Sequence, residues 1–126
     1  MEALQKQLQE KVSAFKSTQK EMSNLVSQRH QLDAQLSENT IVLEELKLLD
    51  PGCEVFKMIG PVLVKQDLDE SKGNVEKRID YISRELKRHE DLLQKLEEKR
   101  SNLKDSLTEV QGAMMRAQGA LGEPAK

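Results

Sequence analysis

The sequence predicts a mainly α-helical chain, a long antiparallel two-helix coiled coil with a central β-hairpin. Three observations carry this. Apolar residues recur at alternating steps of three and four on both sides of the centre, residues 1 to 49 contain neither proline nor glycine, and a short β-prone stretch with Gly60 and Pro61 at its middle interrupts the helical pattern. The organisation expected is a helix over 1–49, a hairpin segment over 50–67, a second helix over 68–121 and a tail over 122–126.

Composition agrees with a narrow buried seam rather than a thick core. Of 126 residues, 33% are charged and 37% hydrophobic, and the aromatics are Phe15, Phe56 and Tyr81 alone. A net charge of −2 argues against nucleic acid as the main partner, because neutralising phosphates requires an excess of lysine and arginine. Basic pairs such as Lys77 with Arg78 alternate with acids and read as solvated helix faces, with Asp80 to Arg84 and Asp91 to Lys95 at the spacing of intrahelical ion pairs. No apolar run approaches the roughly 18 residues of a membrane span and no signal peptide is visible, so a soluble, cytoplasmic protein without a membrane partner is expected. A single cysteine, Cys53, excludes an internal disulfide.

In the first helix one strict heptad runs through Leu4, Leu8, Phe15, Met22, Leu25, Leu32, Leu36, Leu43 and Leu46. Its polar members, Lys11, Thr18, Arg29 and Asn39, are of the kind that fix register at some cost in stability. Asp50, Pro51 and Gly52 end the helix, since proline disfavours helical dihedrals in the residue before it.

The runs Val55–Ile59 and Val62–Gln66 are rich in β-branched and large apolar side chains and meet at Gly60 and Pro61. A type II′ turn fits, with glycine supplying the positive φ of the first central position and proline the negative φ of the second. This register pairs Ile59 with Val62 and puts apolar residues on both faces: Val55, Ile59, Val62 and Val64 on one, Phe56, Met58 and Leu63 on the other. A lone two-stranded hairpin is marginal in water. Burying seven such side chains contributes on the order of 10 kcal/mol, and the helices, whose seams face each other, have nothing left to cover them with. Hairpins of several chains can close edge to edge into an intersubunit β-barrel, which removes both the wet faces and the open edges. The hairpin is therefore read as an oligomerisation element.

Asp67, with Glu70 three residues on, has the spacing of a helix cap. The second seam is cleaner than the first: Val75, Ile79, Ile82, Leu86, His89, Leu93, Leu96, Arg100, Leu103, Leu107, Val110, Met114, Ala117 and Leu121. Pairing Leu46 with Val75 gives partner numbers the same sum as Ile59 with Val62, so the chain folds back symmetrically about the Gly60 to Pro61 bond. The far end then gathers Leu4, Leu8 and Val12 from one helix with Val110, Met114, Met115 and Leu121 from the other. Gly112, Gly119 and Gly122 each weaken a helix by about 1 kcal/mol, so this end is expected to fray and to offer adaptable apolar side chains, methionine above all.

No catalytic constellation is visible. There is no glycine-rich phosphate loop, the acids lie along solvated faces, and His89 falls in the seam, where packing or register is its natural role. Cys53 has no histidine or second cysteine near it in sequence and is read as a small, partly buried apolar residue. The expectation is a protein that is not an enzyme and has no cofactor or metal.

The order helix, single hairpin, helix, together with Gln35–Leu49 (QLSENTIVLEELKLL), Val55–Lys65 (VFKMIGPVLVK) and Ile79–Leu96 (IDYISRELKRHEDLLQKL), resembles the β-type subunits of prefoldin, and among them the eukaryotic subunit-six branch. The resemblance spans nearly the whole chain, and Phe56, Lys57, Ile59, Gly60, Pro61, Val62 and Leu63 are its most specific part. It implies a heterohexamer of α-type and β-type subunits joined through their hairpins. It also implies an ATP-independent chaperone that holds unfolded proteins such as actin and tubulin between coiled-coil tips and delivers them to the cytosolic chaperonin. The residues by themselves leave a second reading open, a structural coiled-coil adaptor without client binding.

Overall fold

A computed structural model of the chain describes residues 2–122, the side chains of 121 and 122 excepted. Its elements are α1 (Glu2–Leu48), β1 (Val55–Ile59), β2 (Val62–Gln66) and α2 (Leu68–Gly122), so two long helices flank one antiparallel hairpin. The chain divides into two compact units, Met1–Val26 with Glu90–Lys126, and Ser27–His89.

Each unit holds a stretch of helix pair, and the heptad positions face inward in both. In the hairpin-bearing unit Val75, Ile82 and His89 are buried, and Leu32, Leu36, Asn39, Leu43 and Leu46 are half-buried opposite them. Leu46 lines a groove with Val75, and Asn39 lines another with Ile82, which is the expected antiparallel register. In the other unit Thr18, Met22 and Val110 are buried, and Lys11 shares a groove with Val110 in the same register. Thr18, 1% exposed, satisfies its hydroxyl by donating to the Ala14 carbonyl at 2.9 Å, so a polar residue sits in the seam without an orphaned group.

Arg29 departs from the expectation. It occupies a seam position yet is exposed, because a long charged side chain can swing its guanidinium out to water while its stem stays near the helix. Two ion pairs are present among the described residues, Lys65 with Glu54 at 3.3 Å and Arg88 with Glu85 at 2.9 Å. Arg84 donates to the Asp80 backbone carbonyl and not to its carboxylate.

The junctions follow their residue chemistry. α1 gives way at Leu49, whose N–H donates to Leu46 O at 3.3 Å, and Cys53 N–H donates to Asp50 O at 2.9 Å across the Pro51–Gly52 turn. That turn leaves Cys53 exposed, which corrects its reading as partly buried: the tight turn holds it off both helices. At the start of α2 the Asp67 carboxylate accepts from Glu70 N–H at 3.3 Å and the Asp67 carbonyl accepts from Ser71 N–H at 2.9 Å. The Ser71 hydroxyl meets the Gln66 side chain at 3.1 Å, tying the last residue of β2 to the first turn of α2.

The glycines of the far end do not interrupt the helix. α2 runs unbroken through Gly112 and Gly119 to Gly122. Helix propagation is cooperative, and Val110, Met114 and Ala117 remain at least half-buried along this stretch, which outweighs about 1 kcal/mol per glycine.

Candidate functional site

Two surfaces gather the residues that the sequence singles out. The first is the hairpin. Its register is Val55 with Gln66, Phe56 with Lys65, Lys57 with Val64, Met58 with Leu63 and Ile59 with Val62, as the alternation requires. Gly60 takes φ +60°, and no other residue among the described ones has positive φ, so Pro61 keeps its negative φ and the type II′ geometry fits.

The chain does not cover this element. Phe56, Met58, Ile59, Val62, Leu63 and Val64 are all exposed, Met58 to 71% and Leu63 to 62%, and only Val55 is half-buried. Large apolar side chains thus stand in water on both faces of a two-stranded sheet. An apolar patch of this kind, next to unpaired strand edges, marks an interaction surface. Charge near it is sparse: Lys57 projects from the Val55, Ile59, Val62, Val64 face, and the Lys65–Glu54 pair lies at the base.

The second surface is the far end of the helix pair. Leu4, Leu8, Val12 and Met114 are half-buried, Val110 is buried at 8% exposure, and Met115 is 72% exposed. The side chain of Leu121 lies outside the described residues. Leu4 and Val110 line one groove with Gln7, Lys11, Ser106, Glu109 and Ala113, so residues from both ends of the sequence do meet. Met115 is the one of these described side chains that the seam does not engage.

Sequence reasoning missed a third feature, in the hairpin-bearing unit. Ile41, Val42, Leu48 and Leu49 at the end of α1 and Tyr81 on α2 are exposed apolar or aromatic side chains. The signal was present: these apolar residues fall outside the strict heptad. Close by, Glu85 raises the pKa of Arg88, first by its hydrogen bond and then by its charge, so the guanidinium stays a cation throughout the working pH range.

Among the described residues no cluster of histidine, cysteine and acidic side chains could hold a metal ion, and no helix is long and apolar enough to cross a membrane.

Comparison with known proteins supplies the context for these surfaces. The family model for the prefoldin subunit matches residues 2–113. The bovine (Bos taurus) and human (Homo sapiens) proteins named prefoldin subunit 6 are each 47% identical over 126 residues, covering 99% of this chain and 98% of theirs. The Arabidopsis thaliana protein of that name is 45% identical over 108 residues, covering 86% of this chain and 84% of its own. A crystal structure of the prefoldin beta subunit from Thermococcus strain KS-1 superposes with a TM-score of 0.74 at 24% identity, over 94% of this chain and 95% of that one. The shared fold accounts for the single hairpin between two long helices. By sequence and by fold, the chain belongs to the prefoldin subunit family.

Proposed function

We propose that this chain is a working subunit of the prefoldin co-chaperone, a cytoplasmic heterohexamer in which its hairpin joins those of other α-type and β-type subunits. In that assembly it captures unfolded proteins such as actin and tubulin at the far end of its helix pair and passes them to the cytosolic chaperonin, without nucleotide chemistry. The observation that carries the reading is the hairpin, whose apolar side chains on both faces remain exposed in the single chain. Burying them against sister hairpins contributes on the order of 5–10 kcal/mol, which favours assembly against the entropic cost of association.

Capture by apolar tips fits the chemistry of the far end. Met115 offers a flexible thioether to solvent, its neighbour Met114 is half-covered, and so are Leu4, Leu8 and Val12 at the start of α1. Weak contacts at several tips of one complex combine through effective concentration, so a client is held without any one tight site.

Removal of residues 1–10 and 112–126 tests the reading. The expected result is a complex of unchanged mass that no longer suppresses aggregation of a denatured client. Unchanged suppression rejects the tip as the client site.

A second reading, a structural adaptor, draws on one observation: Val110 is buried and most of its neighbours are half-buried, as in a spacer with a finished seam. It predicts that the truncated complex still connects its partners and that the parent never suppressed aggregation.

A further inference from the structure

The hairpin-bearing unit carries an asymmetry of charge that the hairpin does not explain. Between Gln31 and Leu46, α1 contains no lysine or arginine, and Lys47 is the one base that follows before the helix ends. Near its end Ile41 and Leu48 are 55% and 84% exposed, on the side of the helix away from the seam, and Glu38, Glu44 and Glu45 flank them at helical spacing. Neither side chain is buried by the chain's own packing. α2 mixes both signs along this stretch, but one groove beside it does not. Lys77, Arg78 and Tyr81 border an open groove floored by Ile82 and walled on the α1 side by Gln35 and Asn39, and no carboxylate lines it. Arg78 also borders the neighbouring groove, which reaches Val42, Val55 and Phe56 at the hairpin base and again has no carboxylate.

One unit therefore presents an acidic face with two stranded apolar side chains, and a basic groove with aromatic and aliphatic walls that runs toward the hairpin. We infer that the groove bordered by Lys77, Arg78 and Tyr81 is a lateral docking surface for a neighbouring subunit of the same family. Its occupant is a helix face of apolar side chains flanked by carboxylates, the kind that this chain presents at Ile41 and Leu48. Charge complementarity selects that occupant, and continuity through Arg78 and Phe56 joins the groove to the hairpin. Two different patches that match each other make a heterologous contact, which gives neighbouring subunits a direction. The apolar side chains supply affinity, while the charges reject a subunit offered in the reverse sense, where like faces like. The inference rests on the assembly reading given above and adds an order to it: the hairpins join the subunits, and the helix flanks decide which way round they follow.

The test is made on the complex reconstituted from this chain and its partner subunits, with assembly read by native mass spectrometry and sedimentation. The double substitution Lys77→Glu with Arg78→Glu is expected to raise the concentration for half-assembly at least about tenfold, with helix content unchanged. Lys77→Gln with Arg78→Gln is expected to give a smaller rise that shrinks as salt is added to the parent and variant alike. Ile59→Asp serves as the hairpin control. If the charge reversal assembles like the parent while Ile59→Asp releases the chain, lateral docking is overturned and the assembly reading stands. If neither releases it, both fall. A charge-reversed complex of full mass that has lost only client capture assigns the groove to clients and likewise overturns the proposal.

Discussion

His89, buried in the α2 seam at 5% exposure, holds its Nε2 3.0 Å from the Oε1 of Gln28 on α1. Its Nδ1 lies 2.8 Å from the Glu85 carbonyl, one turn earlier on the same helix, and a ring nitrogen facing a carbonyl donates. With Nδ1 the donor, the neutral ring accepts at Nε2, so both nitrogens are satisfied inside the seam when the Gln28 amide is turned with its NH₂ toward the ring. By the register that pairs Leu46 with Val75, His89 faces Leu32, and Gln28 reaches it from one turn away. The bond therefore depends on the alignment of the two helices.

A polar contact of this kind discriminates between registers more than it stabilises one. Gln28→Ala is expected to destabilise by about 1 kcal/mol, since water can reach Nε2 only in part. His89→Leu is expected to leave stability level or slightly higher while loosening the alignment. A double-mutant cycle in urea should give a coupling of about 1 kcal/mol, and engineered cysteine pairs one turn out of register should cross-link faster in His89→Leu. Equal cross-linking in parent and variant assigns His89 to packing alone.

Gly60 sets the turn. At φ +60° it sits where a β-carbon is disfavoured, yet a β-carbon built there meets nothing within 4 Å. The whole effect of Gly60→Ala is thus conformational, about 1–2 kcal/mol, and Gly60→Asn is expected to cost less because asparagine tolerates the left-handed region. Thermal melts of the assembled complex should rank the parent above Gly60→Asn and that above Gly60→Ala. A reversed order contradicts the turn assignment.

The reversal of the chain, the strand register and the two seams were legible because each rests on local chemistry: a period of seven, an alternation of two, and a glycine–proline turn. Asp67 could be read as a cap for the same reason. What could not be read depended on where a side chain swings or how tightly a turn closes. Arg29 left the seam because its stem is long, and Cys53 stayed exposed because the Pro51–Gly52 turn holds it outward. Ile41, Leu48 and Tyr81 were visible as apolar residues off the heptad, but only the fold puts two of them on an acidic face and the third beside Lys77 and Arg78. At the far end, spacing named the residues and exposure sorted them, with Met115 outward and Val110 within.

That sorting separates two variants. Met115→Asp is expected to change stability by less than about 0.5 kcal/mol, as an exposed substitution does, and to weaken suppression of client aggregation several-fold. Val110→Asp buries a carboxylate in the seam and is expected to cost about 3 kcal/mol or more, lowering the melting temperature. Full suppression by the Met115→Asp complex would remove that side chain from the client site.

The most direct measurement is the mass of the complex reconstituted with Leu63→Asp. Leu63 is 62% exposed and pairs with Met58, so the substitution is tolerated in the single chain and disfavours only a covered hairpin. Sedimentation is expected to show this chain released as a helical species of its own mass, with the remaining subunits in smaller assemblies. Recovery of the variant at full complex mass contradicts the claim that the exposed hairpin is what builds the assembly.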